Sequence, residues 1–158
     1  MKKVLSSILT TVIGIGAGAA FMAKISNKVI DENKNKVNKF RSYYEMLNQW
    51  LVLKLNNEKI ETYFLNNGYK KLAIYGMGEM GNRLLEDLTG SDVEIVYGID
   101  KNISGVISKL EVLQPDEDFP EADVIVVTAV FDYDEIQKNL SSKCNINIIS
   151  LEDVIYGI

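Results

Sequence analysis

The sequence predicts an α/β fold with a doubly wound parallel sheet of about five strands, preceded by an N-terminal transmembrane helix and an amphipathic helix. Three observations lead to this prediction. Short apolar runs alternate with amphipathic helical segments after residue 57, which is typical of parallel sheets. A glycine-rich turn follows the first apolar run directly. The unbroken apolar run in residues 122–128 is typical of a strand that is buried on both faces.

Charge divides the chain into two unlike parts. The net charge of −5 is the sum over both parts, and the mean hydropathy of +0.01 is the average over all 158 residues. Residues 1–54 carry nine Lys/Arg and three Asp/Glu, a net of +6, and residues 55–158 carry eight and nineteen, a net of −11. An acidic domain is a poor match for phosphate backbones, so we expect no nucleic-acid partner. Histidine is absent and there is one cysteine, so we expect no metal site.

Three segments are predicted: a transmembrane anchor over 1–24, a basic amphipathic helical linker over 25–56 and a nucleotide-binding domain over 57–158. Val4–Ala23 is free of charge, and as a helix it covers roughly 30 Å, about one hydrocarbon core. A cleaved signal peptide and a buried or peripheral helix are the alternatives. The lysines that follow residue 23 favour a single pass through the cell membrane, with the C-terminal domain in the cytoplasm.

The linker carries an apolar seam with alternating spacings of three and four residues. Its members are Val37, Phe40, Tyr44, Leu47 and Leu51. We expect this face to dock on the protein's own sheet. The alternatives are a dimer seam and a stretch on the membrane surface, with basic side chains near anionic headgroups. The Gly14/Gly18 spacing offers a second route to a homodimer.

Within the domain, the apolar periodicity places the elements in order. A helix over 58–66 ends before Gly68. Strands are predicted over 71–75, 93–99, part of 105–112, 122–128 and 145–149. Helices are predicted over 82–88, 132–140 and 151–156.

The central motif is G-x-G-x-x-G over residues 76–81, after a strand and at the start of a helix. This context predicts a Rossmann-like dinucleotide loop. Gly76 makes the tight turn, Gly78 lets a pyrophosphate approach the backbone, and Gly81 lets the helix pack closely. The free N–H groups at the start of the helix face the anion. The candidate cofactor-binding residues are Gly76, Met77, Gly78, Glu79, Met80, Gly81, Asp100 and Thr128.

Asp100 ends the second predicted strand, nineteen residues after Gly81. An acidic residue at this position accepts the ribose hydroxyls of NAD and repels a 2′-phosphate. We expect Tyr75, Asp100 and Thr128, which end three strands, to meet at one crevice. The carboxylate of Glu79 suits the helix dipole but crowds a pyrophosphate, so a different ligand, or none, stays an alternative.

Residues 75–81, 98–102 and 123–128 resemble the small Rossmann modules of bacterial surface-polysaccharide biosynthesis. These modules include the nucleotide-binding part of CapD-like nucleoside-diphosphate-sugar epimerases and dehydratases. The resemblance covers about residues 70–158, and it implies that Gly76, Gly78, Gly81 and Asp100 contact NAD or a nucleotide-sugar. The sequence departs from that family's Tyr-x-x-x-Lys pair, because Gln137 follows Tyr133 four residues later. The sugar-binding half is also missing.

Three functions follow from these patterns. The first is a membrane-anchored nucleotide-binding module, accessory or regulatory in cell-envelope polysaccharide biosynthesis. It would partner the membrane and either a second copy or a polysaccharide-biosynthesis enzyme. The second is a non-catalytic scaffold with a vestigial loop, and the third is an epimerase or oxidoreductase subunit completed by a partner. We name no catalytic residue, since the sequence offers no convincing base and the chain by itself is predicted to bind rather than catalyse.

Overall fold

The computed structural model describes residues 2–105 and 110–158, with side chains for residues 22, 24, 26–104 and 110–158. The predicted anchor over 1–24 lies outside the described side chains, except for Met22 and Lys24. In the part of the chain that is described, we find no helix with the length and hydropathy of a membrane span. The chain divides into two compact units, Met1–Tyr44 and Glu45–Ile158.

The first helix, α1, runs from Lys2 to Leu55. Its last turns belong to the second unit, where Met46, Trp50 and Leu53 are buried. These three residues are spaced four and three apart, so they share one face of the helix. The indole Nε1 of Trp50 donates to Asp87 Oδ2 at 2.7 Å, and Lys54 pairs with the same carboxylate. This face, rather than the predicted seam, joins α1 to the domain.

The prediction that the apolar seam docks on the sheet is wrong for the two seam residues within the second unit. Leu47 is 44% exposed and Leu51 is 56% exposed. The buried stripe lies to one side of the seam on the helix surface. Periodicity detects both stripes, but only one of them includes a tryptophan whose N–H donates to a half-buried carboxylate of the domain.

The sheet confirms the α/β part of the predicted fold class. Five parallel strands lie in the order β3-β2-β1-β4-β5. They are β1 (Lys71–Tyr75), β2 (Glu94–Ile99), β3 (Val112–Leu113), β4 (Val124–Val127) and β5 (Asn147–Ser150). The remaining helices are α2 (Ile60–Asn66), α3 (Glu79–Leu88), α4 (Tyr133–Ser141) and α5 (Leu151–Tyr156), with short 3-10 turns at Ile103–Gly105 and Val130–Asp132.

Helices α3 and α4 cover opposite faces of the sheet. Alternate residues of a strand point to opposite faces. A Cβ on Gly81 in α3 would lie 3.3 Å from Cγ2 of Ile74. Ile136 of α4 instead shares a buried cluster with Ala73 and Tyr75. The sheet is therefore wound on both sides.

No helix covers β2 and β3 on the α4 side in the described connection from β3 to β4. Instead, the Phe119 ring stacks on Tyr97, with ring centroids 6.2 Å apart. The Tyr97 hydroxyl donates to Pro120 O at 3.0 Å. An aromatic pair thus covers this part of the core.

Candidate functional site

The glycine loop connects β1 to α3, and two of its glycines are required by packing. Gly76 has φ +94°, and a Cβ there would lie 2.8 Å from Oγ1 of Thr128. A Cβ on Gly81 would lie 2.2 Å from the carbonyl oxygen of Gly76. Both positions exclude any side chain, since backbone atoms or a buried hydroxyl fill the space.

Gly78 differs from these two. Its φ of −74° is open to any residue, and nothing lies within 4 Å of a Cβ built on it. The space beside this residue is therefore free of protein. Gly78 is the N-cap of α3, and no side chain caps this helix end. The first-turn N–H groups consequently have no partner within the helix, and they carry the positive end of its dipole.

Asp100, at the end of β2, is hydrogen-bonded to the loop. Its Oδ2 accepts from the backbone N–H of Met77 at 2.8 Å, and its Oδ1 accepts from the N–H of Asn102 at 2.8 Å. A carboxylate oxygen has two lone pairs, so each oxygen keeps one for a further donor. The structure thus places the predicted ribose acceptor against the glycine loop.

Thr128, after β4, holds the loop from the other side. Its side chain is 3% exposed. The hydroxyl lies 2.6 Å from Gly76 O and 3.1 Å from Tyr75 O, and it has one proton to donate. The backbone N–H of Thr128 donates to Tyr75 O at 2.9 Å. Three strand ends therefore meet as the sequence predicts, with Thr128 directed at the loop backbone.

The two methionines and Glu79 differ in their surroundings. Met77 is 2% exposed, so only its backbone faces the loop surface. Met80 is half-buried, and Glu79 is exposed in the first turn of α3. The loop therefore presents to solvent mainly the backbone around Gly78 and one carboxylate.

A cavity of about 290 Å³ lies beside this edge, on the α4 side of the sheet. Tyr75 and Lys101, the neighbours of Gly76 and Asp100 in the chain, both line it. Lys143 lies on the far wall and donates to Pro115 O at 2.9 Å. Its walls combine aliphatic carbon with lysine and amide groups, and its size approaches the lower end for small-molecule pockets.

Residues 68–150, more than half of the chain, match the family described as C2185-like, N-terminal. The chain belongs to this family. The match runs from the turn before β1 to the end of β5, so it includes every candidate site residue. No curated protein and no solved structure matches the chain.

The tyrosines near the site of this C2185-like domain are structural. The Tyr133 hydroxyl donates to Ile148 O at 3.0 Å and accepts from Gln137 Nε2 at 2.7 Å. Burial raises the pKa of Tyr133, and it raises the pKa of Tyr97 to about 12. For Tyr75, burial and then the charges of Asp100 and other nearby carboxylates raise the pKa. All three phenols are thus held neutral at physiological pH.

Sequence reasoning missed how Met77 is fixed. A Cβ on Gly98 would lie 2.8 Å from Met77 Cγ and 2.9 Å from its Sδ. The methionine side chain therefore packs on β2 where a glycine leaves room for it. A glycine inside an apolar strand is the signal that indicates such a close approach. The buried side chain positions the Met77 backbone so that its N–H donates a hydrogen bond to Asp100.

Proposed function

We propose that this C2185-like domain binds a nucleotide, NAD or a nucleotide-sugar, with its phosphates at the start of α3. The observation that carries this proposal is the contrast among the three glycines. Gly76 and Gly81 leave room for protein atoms, whereas the space beside Gly78 contains none. The packing of the protein therefore does not require a glycine at position 78, but the approach of a pyrophosphate does.

In this proposal the carboxylate of Asp100 binds the ribose next to that phosphate position. Each carboxylate oxygen already accepts one backbone N–H and keeps one lone pair, so a vicinal diol can donate to both. The same negative charge repels a 2′-phosphate. We therefore propose NAD rather than NADP as the dinucleotide. In this proposal the adjoining base or sugar enters the cavity lined by Tyr75 and Lys101, which neighbour Gly76 and Asp100 in the chain.

The role we propose is binding without catalysis. The hydroxyls of Tyr97 and Tyr133 are engaged with backbone carbonyls, and their neutral phenols offer no base. With the resemblance to polysaccharide-biosynthesis modules, this favours an accessory or regulatory protein. In this proposal, residues 1–24 anchor the chain in the cell membrane, with the domain in the cytoplasm. A second copy or a polysaccharide-biosynthesis enzyme is its partner.

Calorimetry on the full-length chain in detergent micelles tests the ligand. The probes are NAD, NADP and UDP-N-acetylglucosamine. We expect NAD or the nucleotide-sugar to bind, and NADP to bind at least tenfold more weakly than NAD. Gly78→Asp should weaken binding at least tenfold, because it adds bulk and a negative charge in the open space. Gly78→Asn, its neutral match, separates the effect of bulk from that of charge.

Glu79→Gln provides a test in the opposite direction. Removal of this exposed carboxylate should strengthen phosphate binding by about threefold, because a like charge leaves the first turn of α3. Absence of binding for all three probes would contradict the ligand assignment. Affinities that do not change in Gly78→Asp would place the ligand elsewhere.

A second candidate function is a scaffold that keeps the loop only as structure. The bonds from Met77 and Asn102 to Asp100 favour it, since the loop is already held without a ligand. A scaffold predicts that cells carrying Gly78→Asp keep the function of the protein. The nucleotide-binding proposal predicts that the same cells lose it while protein levels stay normal.

A further inference from the structure

Six exposed apolar side chains follow one face of α1 within the first compact unit. They are Met22, Val29, Ile30, Val37, Phe40 and Tyr44. At about 100° per residue they fall within an arc of roughly 100°. Val37 is 64% exposed and Phe40 is 78% exposed. Ser26 and Asn33 are the two polar residues within this arc, and from Val37 to Tyr44 it is apolar throughout. An exposed apolar face rimmed by polar residues marks a contact with another protein or with a membrane.

The charges beside this face favour a membrane over a second protein chain as the contact. Residues 24–41 carry six Lys/Arg and two carboxylates. With Val37 and Tyr44 in the a position of a heptad and Phe40 in d, the charged residues at e and g are all cations. These flanking residues are Lys34, Lys36 and Arg41. The carboxylates Asp31 and Glu32 occupy b and c, away from the apolar face, and Glu32 lies 3.8 Å from Lys28.

The cations at positions e and g disfavour the pairing of α1 with a second copy of itself. In a helix pair, parallel or antiparallel, e and g residues of one helix face e and g residues of the other. In a parallel pair Lys34 would face Val29, and Lys36 would face Arg41. No carboxylate occupies an e or g position in residues 28–44 to offset this repulsion, and like charges oppose pairing. An anionic headgroup layer attracts Lys34 and Lys36, at roughly fivefold in partitioning for each cation.

We propose that residues 28–44 of α1 lie in the interface of a bilayer that contains anionic lipid. The apolar arc enters the boundary between headgroups and acyl chains. Lys34 and Lys36 border it and extend along its edges to the phosphates. Because α1 is one helix from Lys2 to Leu55, a span over residues 1–24 and this surface contact can coexist only if α1 bends between them when it meets the bilayer. The contact does not depend on what the glycine loop binds.

Fluorescence quenching by lipids with brominated acyl chains tests the depth of this segment. The full chain is reconstituted in vesicles of phosphatidylcholine with about 30% phosphatidylglycerol, or of phosphatidylcholine alone. Phe40→Trp places a probe on the apolar arc, and Asn35→Trp places one on the opposite face at nearly the same position along the helix. The wild-type chain, whose one tryptophan is the buried Trp50, supplies the background.

We expect Phe40→Trp to be quenched at least threefold more than Asn35→Trp in the anionic vesicles. Adding Lys34→Glu and Lys36→Glu to Phe40→Trp should remove most of the quenching, as should vesicles without anionic lipid. Circular dichroism verifies that every variant keeps its helix.

Three results would overturn the proposal. Equal quenching at positions 35 and 40 would mean that the apolar arc does not face the lipid. Quenching that does not depend on anionic lipid or on the two lysines would show that Lys34 and Lys36 do not bind anionic headgroups. Disulfide cross-linking of Phe40→Cys above that of the wild-type chain, without quenching in Phe40→Trp, would show that a second copy covers this face.

Discussion

Asp100 Oδ2 accepts the backbone N–H of Met77 at 2.8 Å, so the side chain that ends β2 holds the second residue of the glycine loop. The residue predicted to contact a ribose is thus also part of the structure that positions the phosphate loop. Stability and ligand affinity are therefore linked at this position, and substitutions there have to be measured for both.

Asp100→Asn should lower both the stability of the domain and its affinity for NAD. The asparagine has one carbonyl oxygen for the two N–H donors of Met77 and Asn102, and its amide group would face one of them. Because the site is half-buried, we expect a loss of about 1–2 kcal/mol in the free energy of unfolding. NAD affinity should fall at least tenfold. Urea denaturation and calorimetry measure the two effects.

Asp118→Asn is the matched control for Asp100→Asn, because it makes the same charge change at an exposed position. It should alter the free energy of unfolding by no more than about 0.5 kcal/mol. Equal effects of the two variants would show that net charge, and not the bond to Met77, is responsible.

The three loop glycines should respond differently to alanine. Gly76→Ala places a Cβ 2.8 Å from Thr128 Oγ1 at a positive φ, and Gly81→Ala places one 2.2 Å from Gly76 O. We expect each to cost about 2–4 kcal/mol in the free energy of unfolding. Gly78→Ala meets no atom and should cost no more than about 0.5 kcal/mol.

Urea denaturation of the three alanine variants measures this order. A loss in Gly78→Ala as large as that in Gly81→Ala would mean that the loop packs differently from the structure described. The tolerance of position 78 also makes Gly78→Asp a clean probe of binding, since its fold should be retained.

Met77 and Gly98 should be energetically coupled. Met77→Ala leaves a cavity and should cost about 2–4 kcal/mol. Gly98→Ala overpacks the same site and should cost about 1–3 kcal/mol, because its Cβ would lie 2.8 Å from Met77 Cγ. In the double variant, the added methyl group occupies part of the vacated space.

The double variant should therefore be more stable than the sum of the single effects predicts, by at least about 1 kcal/mol. Thermal and urea denaturation of the four chains complete the cycle. Strict additivity would mean that the two side-chain positions do not share one space.

The raised pKa of Tyr97 predicts that the domain loses stability at high pH. Burial raises the pKa of Tyr97 to about 12, from an ordinary value near 10. The unfolded chain therefore loses this proton at a lower pH than the folded chain does. The stabilising contribution is fully present below pH 10 and is lost as the pH rises from about 10 to 12.

Tyr97→Phe isolates this contribution. At pH 7 it loses the bond to Pro120 O and should cost about 1 kcal/mol. Between pH 10 and 12 its free energy of unfolding should fall less steeply than that of the wild type. Some slope should remain, since burial also raises the pKa of Tyr75 and Tyr133. Parallel slopes in the two chains would contradict the assignment to Tyr97.

Much of the fold was predictable because its signals are local. The apolar runs of β1 and β4 can only be buried strands, and the glycines at 76 and 81 mark a strand, a tight turn and a close helix. The position of Asp100 was predictable because it follows Gly81 by nineteen residues, the length that a helix and the next strand require. The strand predicted within residues 105–112 is less well placed, since β3 is Val112–Leu113 and shares only residue 112 with that range.

Other features depend on contacts between residues that are distant in the chain. The sequence of α1 contains two apolar stripes, and only the partner at Asp87 decides that Trp50 faces the domain. The side chain of Met77 could point to a ligand or to the core, and the absence of a side chain at Gly98 decides for the core. Thr128 and Asp100 reach the loop only because β2 and β4 flank β1.

The sequence by itself thus determined most strands and helices of the domain, the parallel sheet and the position of the candidate loop. Each of these depends on backbone conformation and on the periodicity of burial. Only the tertiary structure decided which apolar face of α1 is buried, which methionine is packed and what Asp100 binds. Those choices depend on pairs of groups 20 or more residues apart, whose contact no local pattern encodes.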